Sequence, residues 1–405
     1  MATTTNDQPE LYYDPFDLEI DKDPHPVWKR MRDEAPLWWN DKHEFYALSR
    51  FADVKSALID WDTFRSGKGS ILEVIKAGVE LPSGFILMED PPSHDSHRGL
   101  MSRVFTPKRM EALEPKVREF CARSLDPVVG TGRFDFVADL GAQMPMRTIG
   151  MLLGIPEQDQ EAIRDRLDEG LKLEEGDDPT ARYREENEDA FTHELFMEYI
   201  DWRRENPSDD LMTELLNAEF EDETGTRRRL TQEEVVTYVG LLAGAGNETT
   251  TRLISWMGKL LAEHPDQRRE IVEDRRLIPN AVEEILRFEA PSPVQARWVT
   301  RDVEYYGQVV PKDSTMVLLN GSANRDEREF PDADRFDIHR KAGAHLSFGN
   351  GIHFCLGAAL ARLEARVALD EVLNRFPEWE VDWDGAVQAH TANVRGWAKL
   401  PVITG

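Results

Sequence analysis

Apolar residues recur at helical spacing over most of the chain and alternate at strand spacing only toward its two ends. Pro26–Glu34 and Phe51–Asp60 carry the helical period, and between them Leu37–Trp39 and Phe45–Ser49 alternate like the arms of a hairpin. Residues 65–90 hold scattered Gly and Pro and predict a long, partly irregular loop. From 97 to 290 the pattern is almost wholly helical. Strand-like segments return at Val303–Val310 and Thr315–Asn320, and a terminal hairpin is expected around 391–402. One more helix follows Cys355, with apolar positions at Leu356, Ala359, Leu360, Leu363 and Val367. The expected fold is therefore mainly α (α+β), a helical body with small segregated sheets. Residues 1–20 read as a loosely held arm and 21–405 as one domain.

The 405 residues carry a formal net charge of −28, which argues against nucleic acid or an anionic membrane as the main partner. The polar start, Met1 to Glu10, lacks the basic flank and apolar centre of a signal peptide. No apolar run approaches the ~20 residues that a bilayer span needs, so no membrane anchor is expected. The acids of 174–189 read as a solvated face. Of the 2 cysteines, Cys121 sits mid-helix and reads as a small buried hydrophobe. So few cysteines suit a reducing cytoplasm, the expected location.

The longest helix signal opens with Thr231 and Glu234 as a capping box and can run to His264 before Pro265. Its middle reads Ala243-Gly244-Ala245-Gly246-Asn247-Glu248-Thr249-Thr250-Thr251. Two glycines and three β-branched threonines are poor helix formers, each Gly costing about 1 kcal/mol against Ala. Close helix packing at the glycines, with threonines bonding back to the helix, explains this as well as chemistry does.

Phe348-Gly349-Asn350-Gly351-Ile352-His353-Phe354-Cys355-Leu356-Gly357 is the most specific stretch. Cys355 falls at a helix start, where free backbone N–H groups and the positive dipole end favour a thiolate. Gly349 and Gly351 allow positive φ, so the loop can curl around the sulfur. Such a thiolate can ligate haem iron, serve as a nucleophile with His353 as base, or mark only a structural turn.

This ten-residue pattern resembles the signature of the cytochrome P-450 family, and the likeness runs from about Asp23 to Val402. The resemblance implies a triangular helical fold with haem b between the long helix and the helix after Cys355, the cysteine being the axial ligand. Phe348 and Gly357 belong to the same cofactor-binding loop. Ala245-Gly246-Asn247-Glu248-Thr249 matches the family's acid–alcohol motif, which implies that the helix widens there and that Glu248 and Thr249 deliver protons. Thr250 and Thr251 are expected to be structural. Glu284 and Arg287 match the family's Glu-x-x-Arg, and Arg335 is expected to complete a buried triad with them. His94, Arg98, Arg297 and His353 match positions that hold the haem propionates, whereas His97 is out of register and reads as a surface histidine.

By position, Leu241, Gly244, Val294, Gln295, Asn393 and Val394 should face the substrate, with parts of 71–88 and Leu171. That set implies a lipid, terpenoid, steroid or polyketide-like molecule. The implied reaction inserts one atom of O2, with NAD(P)H electrons reaching a soluble, bacterial-type monomer through a reductase and a ferredoxin. Arg103, Lys108, Arg109, Arg340, Lys341 and Arg362 are expected to gather on the ferredoxin-binding face. A peroxide-using peroxygenase and a haem-binding sensor are the rival readings, and the acid–alcohol pair speaks against both.

Overall fold

The computed structural model describes residues 10–169, 172, 178–184, 190–341, 343–391 and 393–405. Its axis is the helix Gln232–Glu263. Thr231 Oγ1 accepts from the Glu234 N–H at 3.2 Å while the Glu234 carboxylate accepts from the Thr231 N–H at 2.8 Å, the capping box the sequence predicts. At the far end Pro265 cannot donate and opens the next helix, Pro265–Glu273.

This central helix is apolar on nearly every side, so it is packed on nearly every side. Its second half puts Leu253, Ile254, Trp256, Met257 and Leu260 into one core with the helix Ala358–Arg375 and the Phe136–Gly141 turn. Its first half puts Val235, Val239 and Leu242 into another with the helices Met144–Leu153 and Ala190–Glu205. Each such side chain contributes roughly 1.5–3 kcal/mol by leaving water.

The main sheet orders its strands Leu37–Asn40, Phe45–Leu48, Thr315–Leu318, Gln295–Val299 and Phe64–Arg65. Thr315–Leu318 runs parallel to Phe45–Leu48 and antiparallel to Gln295–Val299, which joins the two ends of the chain. On Gln295–Val299 the two-residue period turns Gln295 and Arg297 to one face and Ala296 into the core behind.

The hairpin and the helices near the N-terminus form as predicted, but several boundaries differ. Within 65–90 lie a short helix, Leu72–Ala77, and a turn of 3₁₀ helix, Ile86–Met88. The helical stretch is interrupted by the strand Arg133–Asp135 and by a hairpin of Glu219–Glu221 with Arg227–Arg229. Val303–Val310 is itself a hairpin, because Tyr306 and Gly307 both take positive φ, 55° and 76°. At the C-terminus Gly396–Lys399 pairs with Val387–Ala389, while Pro401–Thr404 leaves to pair with Trp379–Val381 and Arg133–Asp135. The first 20 residues are not a loose arm throughout. Tyr13 and Asp14 are buried, Asn40 donates to the Tyr13 carbonyl at 2.8 Å, and Asp14 meets Lys42 at 2.9 Å and His43 at 3.0 Å. Among the described residues no helix is long and apolar enough to cross a membrane.

Candidate active site

The cysteine loop curls because Gly349 and Gly351 take φ of 68° and 71°. The Cys355 N–H then donates to the Phe348 carbonyl at 2.8 Å and closes it. Gly351 also lets the loop approach the helix Phe51–Ile59: a Cβ there would lie 2.5 Å from the Leu58 carbonyl oxygen. Phe348 is held beneath the Arg362 guanidinium, 4.4 Å from the ring centre, and Arg362 is fixed by Glu283 at 2.6 Å. The helix Ala358–Arg375 starts after Gly357, and the N–H groups of Gly357 and Ala358 aim at the sulfur. They do not suffice to lower the thiol. Burial dominates and pushes Cys355 up, with those donors, Arg98 and Arg362 only pulling it back.

Cys355 lines a cavity of about 1490 Å³, its open mouth included, between the central helix and Ala358–Arg375. The central helix contributes Leu241, Leu242, Ala245, Gly246, Thr249 and Thr250, the stripe that a 3.6-residue period produces. Of the expected substrate-facing residues, Leu241, Val294, Gln295 and Asn393 line this cavity, as do Ile71, Ile86 and Leu87. Gly244 does not; it turns about a quarter-circle away, toward Leu167. Val394 faces a separate small pocket beside Tyr13, because its N–H and carbonyl are both tied to the Thr391 hydroxyl. Leu171 lies outside the described residues, as does most of 174–189.

Thr249 presents its hydroxyl at the cavity wall and donates back to the Ala245 carbonyl at 2.9 Å. Glu248 is buried and ion-paired with Arg252, one turn on, whose other nitrogen binds the Trp397 carbonyl. Gly246 packs against Ile149 so closely that a Cβ would meet it at 3.1 Å, and Thr251 donates to the Gly141 carbonyl at 2.6 Å. The packing reading of this segment therefore holds at Gly246 and Thr251. The helix stays α-helical throughout 245–251, without the expected widening. Thr250 and Thr148 bring their hydroxyls to Glu364, a carboxyl buried at the cavity wall and pushed up to about 8 by desolvation.

At one edge of the cavity four cationic or donor groups converge. The His94 and His353 rings lie 4.5 Å apart, and the Nε2 atoms of both are enclosed without a hydrogen-bond partner among the described residues. Arg297 is buried, donating to the Ala296 carbonyl at 2.7 Å and Gln295 Oε1 at 3.1 Å, and burial lowers it to about 10. Arg98 binds the Phe354 carbonyl. Burial first, then the charges of Arg297, His94 and Arg98, lower His353 to about 2. Two arginines beside two imidazole nitrogens that lack a partner fit an anionic ligand.

A family model described as Cytochrome P450 matches residues 178–394. Putative cytochrome P450 123 of Mycobacterium tuberculosis is 40% identical over 401 residues, covering 97% of each chain. Vitamin D(3) 25-hydroxylase of Pseudonocardia autotrophica is 34% identical, with 100% of this chain and 98% of that one covered. The structure of a P450 EryK mutant in complex with erythromycin B superposes with a TM-score of 0.86 at 35% identity, covering 94% of this chain and 96% of that one.

The chain belongs to the cytochrome P450 family. It is a P450 monooxygenase of bacterial type, and the family's cofactor is haem iron. The residues fit that group: a cysteine sulfur on the wall of a largely apolar cavity, and two orphaned imidazole nitrogens with two arginines at its edge, where carboxylates would be held.

The P450 Glu-x-x-Arg pair is fully buried, with Arg287 Nε 2.7 Å from Glu284 Oε2 and Nη2 2.8 Å from Oε1. Arg287 also donates to the Asn324 and Ala333 carbonyls at 2.8 and 3.0 Å. Its third partner is Arg340, 3.2 Å from Glu284 Oε1, and not Arg335, which is exposed and paired with Asp337 at 2.6 Å. Sequence order placed Arg335 nearer the expected motif, but the turn Asp337–Arg340 reverses the chain and carries Arg340 inward. His97 is also corrected. It is buried, with Nδ1 2.8 Å from Glu89 Oε2, because it lies one turn from His94 on the inner face of Ser93–Ser102.

On the outer side of Cys355 a cleft is walled by Phe105, Pro107, Met110, Phe354, Arg362 and Arg366. Arg103, Lys108, Arg109 and Lys341 are exposed, but Arg109 is paired with Glu214 at 2.5 Å and Arg340 is consumed by Glu284. Sequence reading missed Arg366 and Glu364. Glu364 had a signal: it is an acid within the apolar stripe of Leu360, Leu363 and Val367.

Proposed function

We propose that this P450 binds haem b with Cys355 as axial ligand and inserts one atom of O2 into a C–H bond or alkene of a lipid, terpenoid, steroid or polyketide-like molecule. The observation that carries this reading is the placement of Cys355 and Thr249 on opposite walls of one cavity whose remaining lining, including Ile71, Ile86, Leu87 and Val294, is mainly apolar. When bound, the haem supplies the one-electron chemistry that activates dioxygen.

The protein's part is holding, orienting and proton supply. Arg98, Arg297, His94 and His353 hold the propionates, and Glu284, Arg287 and Arg340 brace the segment leading to the cysteine. The apolar wall excludes water and binds substrate by its surface, while Gln295 and Asn393 offer amide groups for orientation. Glu248 is the acid behind the cavity through which a proton is supplied, and the Thr249 hydroxyl passes it in by exchanging its bond to Ala245. Relatives support the substrate size: one is named for vitamin D(3) and one was seen with erythromycin B.

Electrons come from NAD(P)H through a reductase and an acidic ferredoxin that docks over the outer cleft, guided by Arg103, Lys108, Arg362 and Arg366 on a chain acting as a cytoplasmic monomer. The test is spectroscopic. The reduced carbonyl complex should show the long-wavelength haem-thiolate Soret band and lose it in Cys355→Ser; an unchanged band would remove the ligand assignment. A binding-spectrum screen across compound classes then identifies the substrate class.

A further inference from the structure

Glu248 has an acidic neighbour. The helix Glu157–Glu169 crosses the central helix and brings Asp168 against Asn247 and Glu248. Asn247 Nδ2 donates to Asp168 Oδ1 at 3.4 Å, and the Asp168 and Glu248 carboxyls lie within hydrogen-bonding reach of each other. Glu248 Oε2 is enclosed, and among the described residues no N–H or hydroxyl reaches it. Two carboxyls thus share a space served by little positive charge. Arg252 is committed to Glu248 Oε1 and the Trp397 carbonyl. Arg164, one turn back on the helix of Asp168, donates to the Ala142 carbonyl at 3.0 Å and to Asp165 at 2.6 Å. Like charges this close and this dry do not both ionise.

We propose that Asp168 and Glu248 hold one proton between them, and that Asp168 is the positioning residue through which Glu248 is recharged from solvent. This rests on the reading of Glu248 as the proton-supplying acid. A single O–H between the carboxyls gives Oε2 the donor that it otherwise lacks. The two ends differ in exposure: Glu248 is 3% exposed, whereas Asp168 is only part-buried, so a proton from water meets Asp168 first. Burial, and then the Glu248 charge, push Asp168 up to about 8, so the pair keeps its proton at neutral pH; Arg252 and Arg164 oppose this. In turnover the shared proton leaves through Glu248 toward Thr249, water then reprotonates the pair at Asp168, and that proton comes to be shared with Glu248 again.

Among the described residues Glu364 is another acid near 8 and would obscure the measurement, so the parent for the test is the Glu364→Gln holoenzyme. Its infrared difference spectrum between pH 6 and pH 9 should contain a protonated-carboxyl C=O band that disappears at high pH. Asp168→Asn and Glu248→Gln should each remove that band from the window, and Asp168→Glu should restore it, with the reduced carbonyl spectrum checking the haem pocket in every variant. In turnover on the screened substrate, Asp168→Asn should fall about tenfold and Asp168→Glu recover. A band that survives Asp168→Asn, or that is lost in Asp168→Asn but persists in Glu248→Gln, overturns the shared proton. If Glu248→Gln slows turnover while the band never depended on Asp168, Glu248 keeps its role and this proposal falls. If the band behaves as expected but neither variant alters turnover, the relay through Asp168 falls together with the role of Glu248.

Discussion

Glu364 offers the most quantitative test of how this cavity is built. Its carboxyl is fully enclosed, touched by the Thr148 and Thr250 hydroxyls, and raised from an ordinary 4.5 to about 8 by desolvation. A carboxyl whose pKa is higher in the folded chain binds its proton more tightly there. It therefore stabilises the fold fully below about pH 4.5, and that contribution is lost as pH rises through 8. At ~1.4 kcal/mol per pH unit across this window, the loss is on the order of 5 kcal/mol. Glu364→Gln keeps the size and both hydroxyl contacts but cannot ionise. Near pH 5 the variant and the parent should unfold at similar urea concentrations. At pH 8.5 the variant should be the more stable by roughly 3–5 kcal/mol, or about 1 M in midpoint for a chain of this size. Asp168 adds a slope of the same sign, so the variant's curve flattens without becoming level. Parallel curves for the two proteins would mean that Glu364 is solvated or already ionised, and the argument from its burial would fail.

Thr249→Ala should keep haem and substrate binding while diverting NAD(P)H electrons into hydrogen peroxide, read as the ratio of product to NAD(P)H consumed; full coupling would refute the hydroxyl's role. Glu248→Gln should slow turnover as a whole, and Thr250→Ala is no neutral control, since it removes a donor from Glu364 and should raise that group's pKa further. Arg287→Lys should cost about 3–5 kcal/mol in urea unfolding, because one ammonium cannot replace a fork that serves Glu284 and two carbonyls. The paired change Arg103→Glu with Lys108→Glu should slow reduction by an acidic ferredoxin several-fold at low salt and less at high salt, where charges are screened within about 10 Å; equal rates at every salt concentration would exclude steering by this face.

The central helix, its capping box and the cysteine loop were legible in the sequence because each is written in adjacent residues: Thr231 with Glu234, and Gly349 with Gly351 around a fixed spacing to Cys355. What stayed hidden depends on contacts between distant segments. Arg335 and Arg340 are equally plausible partners for Glu284 until the turn at Asp337 decides which one faces inward. Gly244 and Ala245 are neighbours, and only the rotation of the helix against Leu167 shows which of them meets the cavity. His97 read as a surface residue because Glu89, its partner, lies in a segment without a periodic pattern. Asp168 gave no signal at all among so many acids, since its significance comes from a helix that crosses Glu248 from 80 positions away.

The approach of Gly351 to the Leu58 carbonyl bears on how this protein tolerates change. The contact is made with backbone: the carbonyl oxygen of Leu58 and the Cα of Ile59. Replacing the side chain at 58 or 59 leaves those atoms where they are, whereas any side chain at 351 collides with them. A saturation library should therefore find 351 restricted to glycine while 58 and 59 accept many residues by this criterion. An insertion of one residue within Phe51–Ile59 is another matter. It would rotate the helix end by about 100° and move the carbonyl, shifting the loop that carries Cys355 from a site that no pairwise substitution scan would flag.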